Sequence, residues 1–188
     1  LIHRMGGITK QLKSFARKNT ESFVPINFNE AFLSAIAIME PQLKQTDVKI
    51  ETFIEPEPII IMADQQRLEQ VIINLLRNAL DAVMEIEQPE IKISLNKDTL
   101  AIFSIRDNGH GINNLETIFE PFQTTKDLGK GLGLGLAISS NIISEFGGTL
   151  QGKNLSPNGA EFKITLPLFD PSKMTIRETE TSNTGSEA

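Results

Sequence analysis

Four short stretches hold residue types whose spacing could do chemistry. In Asn74-Leu-Leu-Arg-Asn-Ala-Leu-Asp-Ala82, residues Asn74, Asn78 and Asp81 stand at i, i+4 and i+7 and share one helix face. Asparagine is a mediocre helix former, and its carboxamide oxygen suits a hard cation such as Mg²⁺. The plain alternative is an ordinary solvated face. In Gly129-Lys-Gly-Leu-Gly-Leu-Gly-Leu136 glycine recurs at every second position ahead of an apolar helical pattern. Backbone N–H groups without a Cβ beside them approach an anion closely, and a helix N-terminus is a favourable place for phosphate. The plain alternative here is a glycine hinge.

Asp107-Asn-Gly-His-Gly-Ile112 follows a strand-like run. Asp-Asn-Gly is a turn signal. A carboxylate at a strand end could also accept a hydrogen bond from a purine amino group, with Gly109 and Gly111 letting the base come close to the backbone. His110 reads as a bystander, since the chain has no cysteine and only one other histidine, His3. Ile118-Phe-Glu-Pro-Phe-Gln-Thr-Thr-Lys126 reads either as an apolar anchor under a surface loop or as a lid. In the lid reading Phe119 and Phe122 dock it and Lys126 offers charge to phosphate. The glycine run is neither a P-loop nor a dinucleotide fingerprint. Lys130 is followed by Gly131 instead of Ser or Thr, and Thr124 stands where the first P-loop glycine would be. Counting from Gly131, the third fingerprint glycine comes one residue early, at Gly135.

These residues need elements to position them. From Asp64 to Met84, apolar side chains at 68, 71, 72, 75, 76, 79, 80 and 83 make one helical stripe, with Asp64 as N-cap. A second helix is expected over 29–44, capped by Asn29, with Pro41 ending or kinking it. A third follows the glycines through Glu145. Strands are expected at 26–28, 91–96, 100–106, 149–153 and 161–166. A hairpin over 48–54 and 59–62 is expected to turn at Glu55-Pro-Glu-Pro58. Together they make an α/β fold, a two-layer sandwich of a mixed β-sheet and helices. The lid spans 113–130.

In order and spacing the four stretches resemble the N, G1, F and G2 boxes of the sensor histidine kinase ATP-binding domain. That family shares the Bergerat ATP-binding fold with gyrase B, Hsp90 and MutL. The resemblance covers residues 26–168, and the phenylalanine and glycine stretches are similar in particular to the nitrogen-regulation and C4-dicarboxylate sensor branch. It implies that ATP or ADP binds with Mg²⁺. Asn78 would ligate the metal and Asn74 would assist. Asp107 would read the adenine amino group, with Gly109, Gly111 and Ile112 shaping the base pocket and Asp81 nearby on the asparagine helix. Phe119 and Phe122 would anchor the lid, Thr125 and Lys126 would face phosphate, and Gly131, Leu132, Gly133, Leu134 and Gly135 would hold the triphosphate. Ala160 stands where the family often has threonine, so no hydroxyl contact is expected there.

In the gyrase and Hsp90 relatives a glutamate four residues before the magnesium asparagine activates water. Here that residue is Asn74, and a carboxamide takes no proton at neutral pH. Glu69, the nearest upstream carboxylate, lies roughly 140° around the helix from it. The resemblance therefore implies a protein-histidine kinase that passes the γ-phosphoryl of Mg·ATP to a histidine and thence to a cognate response regulator. A gyrase- or Hsp90-type hydrolase and a non-catalytic nucleotide-sensing module are the alternatives.

Leu1, Met5, Ile8, Leu12 and Phe15 step by 4, 3, 4, 3, a heptad seam. Residues 1–18 are read as the end of a dimerisation-hairpin helix, which implies a homodimer of the whole protein docking on its own hairpin. Residues 19–25 are read as a linker and 169–188 as a disordered tail. Neither histidine has an acidic residue after it, so the phosphoacceptor is expected outside these 188 residues. Net charge −6 disfavours nucleic acid, and no apolar run approaches the roughly 20 residues that span a bilayer. The expected place is the cytoplasmic part of an inner-membrane sensor.

Overall fold

A computed structural model describes residues 23–122 and 133–173. The order is β1 (Val24–Asn27), α1 (Phe28–Leu43), β2 (Lys49–Ile54), β3 (Ile60–Ala63), α2 (Gln65–Val83), β4 (Glu90–Lys97), β5 (Leu100–Asp107), α3 (Gly135–Glu145), β6 (Thr149–Asn154) and β7 (Ala160–Pro167), then a 3₁₀ turn at Pro171–Lys173. Five strands form a mixed sheet in the order β2-β4-β5-β7-β6; β1 and β3 pair separately. Among the described strands, β2 and β4 are the parallel pair and the others run antiparallel.

The asparagine helix follows the stripe. Its eight buried residues are Leu68, Val71, Ile72, Leu75, Leu76, Ala79, Leu80 and Val83, and the Asp64 carboxylate accepts the Arg67 N–H at 2.9 Å. This stripe packs between α1, α3 and the inner face of the sheet, where Ile91, Ile93, Phe103, Ile105 and Ile164 are buried. Phe28 and Phe32 of α1 reach across to Phe103, with ring centroids 6.0 and 6.1 Å away. Burying such side chains contributes about 1.5–3 kcal/mol each, and this core holds the helices over one face of the sheet.

Two expectations fail at the same place. The segments at 48–54 and 59–62 are not a hairpin: β2 pairs in parallel with β4, while β3 pairs with β1. Pro56 and Pro58 leave the connection poor in N–H donors. The Asn29 side chain fastens it instead, donating to Glu55 O at 2.7 Å and accepting from Ile59 N at 3.1 Å. Asn29 is thereby taken from capping, and Asn27 caps α1 through the N–H of Asn29. Pro41 sits in the last turn of α1 and does not end it before Leu43. Strand β1 begins at Val24, inside the expected 19–25 linker. The heptad seam, the lid beyond Phe122 and the tail beyond Lys173 lie outside the described residues.

Candidate functional site

Three glycines bring separate stretches of chain into direct contact. A Cβ on Gly109 would strike the carbonyl of Ala82, at the end of α2. One on Gly135, the first residue of α3, would strike Asn74 Oδ1, and one on Gly159 would strike the carbonyl of Asp107. Helix α2 therefore carries the base-turn residues against one end of its exposed face and the glycine-run helix against the other. Asn74 and Ala82 lie eight residues apart, about 12 Å along a helix axis. Asn78 is half-buried between them and Asp81 is exposed.

At one end, Asp107 closes β5 and is only 5% exposed. Among the described residues its Oδ1 accepts from Gly109 N at 2.9 Å and Ala160 N at 3.3 Å. Burial pushes this carboxyl above its ordinary value, and the two N–H groups oppose that only in part. A carboxylate left under-compensated in this way marks a candidate binding position. Ala160 contributes its backbone here; it has no hydroxyl to offer.

At the other end, α3 starts without a side-chain cap. Leu134 is its N-cap residue and makes no side-chain bond, whereas α1 and α2 are capped by Asn27 and Asp64. Gly133 sits at φ +66° just before it. The first N–H groups of a helix carry partial positive charge and need partners, so anionic oxygens suit this end.

The expected site residues divide accordingly. Gly133, Leu134 and Gly135 stand at the α3 start, while Asp107, Gly109, Gly111 and Ile112 stand at the strand end. Thr125, Lys126, Gly131 and Leu132 lie outside the described residues. Asn74 Nδ2 donates to Ser139 Oγ at 3.1 Å, and its side chain lies beside Gly135 at the start of α3. Phe119 packs on the core, but Phe122 is 69% exposed and does not. Its backbone is left-handed, φ +66°, which turns the ring outward while its N–H bonds Gly133 O at 3.0 Å. His110 is exposed, as a bystander would be.

Sequence reasoning missed three supporting residues. Asn154 bonds both backbone groups of Ile112, and Asn108 holds Glu90 N and Gln88 O at 2.8 and 2.7 Å. Glu161, 3% exposed, lies on the other face of the sheet from Asp107. Ser104 Oγ and Arg106 Nε donate to its Oε1 at 2.8 and 2.7 Å, and Lys153 Nζ stands 2.6 Å from Oε2. Burial alone would raise its carboxyl, but these partners outweigh it and bring it down to about 2. The alternation of β7 could have flagged Glu161 as outward-facing; nothing local announces its burial.

Residues 63–170 match the family described as histidine kinase-, DNA gyrase B- and HSP90-like ATPase. The chain belongs to that family. Within it, the chain is 36% identical to the C4-dicarboxylate transport sensor protein DctB of Rhizobium meliloti, covering 88% of this chain and 27% of that protein. It is 34% identical to the two-component sensor PprA of Pseudomonas aeruginosa, covering 92% and 19%. The catalytic domain of histidine kinase ThkA superimposes with a TM-score of 0.68 at 32% identity, over 78% of this chain and 96% of that one. ThkA in complex with response regulator protein TrrA gives 0.73 at 28% identity, over 89% and 48%. The chain spans 27% and 19% of the length of those two curated relatives. It is thus an ATP-binding domain of the histidine kinase type, with a mixed sheet packed against three helices among the described residues. No helix among the described residues is long and apolar enough to cross a membrane.

Proposed function

We propose that the exposed face of α2 holds an adenine nucleotide with its base at Asp107 and its phosphates at the start of α3, and that the whole protein moves the γ-phosphoryl to a histidine outside residues 1–188. The observation that carries this reading is the under-compensated carboxylate of Asp107 at one end of a helix whose other end abuts an uncapped helix start. Asp107 Oδ1 is taken by backbone N–H groups, so the second oxygen accepts the adenine amino group. Gly109 lets the turn after Asp107 press onto Ala82. The α3 N–H groups meet phosphate oxygens. Asn78 offers the carboxamide oxygen for Mg²⁺, which on binding would neutralise charge on the transferring group. Thr125, Lys126, Gly131 and Leu132 complete the phosphate end.

The gyrase-type hydrolase is disfavoured on physical grounds. Asn74 cannot take a proton, and its Nδ2 donates to Ser139 Oγ. The acceptor hairpin, its homodimer and a response regulator complete the proposed phosphorelay, with this domain on the cytoplasmic side of an inner-membrane sensor.

Calorimetry with ADP and with Mg·ATP, followed by incubation with γ-labelled ATP, tests the reading. Binding of both nucleotides is expected, with no phosphohistidine on His3 or His110 and negligible steady-state hydrolysis. Absence of nucleotide binding, or rapid turnover to phosphate, would overturn it.

A further inference from the structure

We infer that Asn154 is a positioning residue for base recognition, holding the loop from Gly109 to Ile112 in the conformation that the Asp107 site uses. The inference rests on the adenine-nucleotide reading above. Asn154 ends β6, more than forty residues from the loop in sequence. Its Oδ1 accepts the Ile112 N–H at 2.6 Å and its Nδ2 donates to the Ile112 carbonyl at 2.9 Å. One side chain thus supplies the paired donor and acceptor that a neighbouring strand would otherwise provide. Gly111 fits against this clamp: its φ is +77°, and a Cβ there would lie 2.9 Å from the same Oδ1. At its other end the loop is tied to the site itself, through Gly109 N–H on Asp107 Oδ1. The loop is therefore fastened at two points, a carboxylate and a carboxamide. Released at the second point, it would sample other conformations, and apparent affinity falls with the fraction that stays competent.

The clamp needs a donor and an acceptor on adjacent atoms, which a carboxamide has and a carboxylate lacks. A carboxylate at 154 would turn lone pairs toward the Ile112 carbonyl. A protonated carboxyl again has one donor and one acceptor. Asn154→Asp should therefore be defective in a pH-dependent way, and Asn154→Ala defective at every pH. The other ionisable groups near the loop are His110, whose Nδ1 lies 2.7 Å from Gly111 O, the Lys153–Glu161 pair on the opposite face, and Asp107. All four are common to the wild type and both variants, so their own titration divides out of the Ala ratio, and a pH dependence seen for Asp but not for Ala reports the added carboxyl.

The test is ADP affinity by calorimetry for the full 188-residue chain as wild type, Asn154→Asp, Asn154→Ala and Asp107→Asn, with thermal midpoints alongside. At about pH 8 both Asn154 variants should bind ADP roughly tenfold more weakly than wild type, at little-changed midpoints. Toward about pH 4.5 the Asp variant's deficit should narrow to roughly fourfold as its carboxyl, ordinarily near pKa 3.9, takes up a proton. The Ala variant's deficit should stay constant. Full affinity in both variants, or an Asp deficit as flat with pH as that of Ala, would overturn the assignment while leaving the nucleotide reading intact, provided Asp107→Asn is defective. Failure of the wild type to bind ADP would overturn both.

Discussion

Asp107 and Glu161 are carboxylates at the same end of the sheet, on neighbouring strands and almost equally buried, yet the protein treats them in opposite ways. In the β5–β7 register Arg106 faces Glu161, so Glu161 shares a rung with the residue just before Asp107. Glu161 sits on the outer face and has Lys153, Arg106 and Ser104. Its carboxyl falls to about 2 despite burial. Asp107 sits on the inner face and has two backbone N–H groups, one of them at 3.3 Å, and burial prevails. A compensated carboxylate ties three strands together. An under-compensated one is a standing cost that a ligand's N–H can relieve.

The signs of their pH dependence differ accordingly. Glu161 has a lowered folded value, so its stabilisation is present above the ordinary value of 4.5 and is lost as pH falls toward about 2. Asp107 has a raised folded value, so its stabilising contribution is present below the ordinary 3.8 and is lost as pH rises through the folded value. At neutral pH Glu161 supports the fold and Asp107 taxes it.

The largest effect should come from Gly159→Ala, which strikes the point where the two neighbourhoods touch. The added Cβ would meet the Asp107 carbonyl at a backbone φ of +101°. Strain and overpacking together should cost about 3 kcal/mol or more, read as a lowered urea midpoint; an unchanged midpoint would mean β7 can move away from Asp107 freely.

Asp107→Asn comes next and separates binding from stability. Gly109 and Ala160 N–H groups hold whichever oxygen occupies the Oδ1 position, so the new NH₂ must face the base, donor against donor. Losing a charge-assisted hydrogen bond costs about 1.5–3 kcal/mol, roughly tenfold to a hundredfold in ADP affinity. The thermal midpoint at neutral pH should hold or rise. Full ADP affinity in this variant would remove Asp107 as the base reader.

The mirror image is Glu161→Gln. Stability should fall by about 1.5–3 kcal/mol, with ADP affinity held within about threefold of wild type. Chemical denaturation would show the acid-induced loss between pH 5 and 2 to be smaller than in wild type, because the titrating group is gone. If affinity dropped more than stability, the division between the two carboxylates would be wrong.

Asn78→Ala should have the smallest effect, and only where metal is involved. We expect Mg·ATP to weaken by about 1 kcal/mol, around fivefold, and ADP with chelator to be almost unchanged. Equal losses for both nucleotides would place Asn78 at the base and not at the metal.

Some of this was legible in the sequence by itself. The eight-residue stripe of α2 is buried as spaced and Asp64 caps it, because helical periodicity and capping are local. The order of the motifs was enough to identify the resemblance, and β4 to β7 formed within a residue of their expected bounds. Tertiary structure decided what depends on partners distant in sequence. Asn29 clamps the 55–59 connection instead of capping a helix, and β2 leaves its expected hairpin to pair with β4. Asn74 turns to α3, and Glu161 is buried beneath Arg106 and Lys153. A carboxamide or carboxylate makes the same local signal whether it meets water, metal or backbone. Which partner it meets is settled by packing that brings together atoms as far apart as the 65 residues between Asn74 and Ser139 or the 78 between Arg67 and Glu145, and no window of sequence contains those contacts.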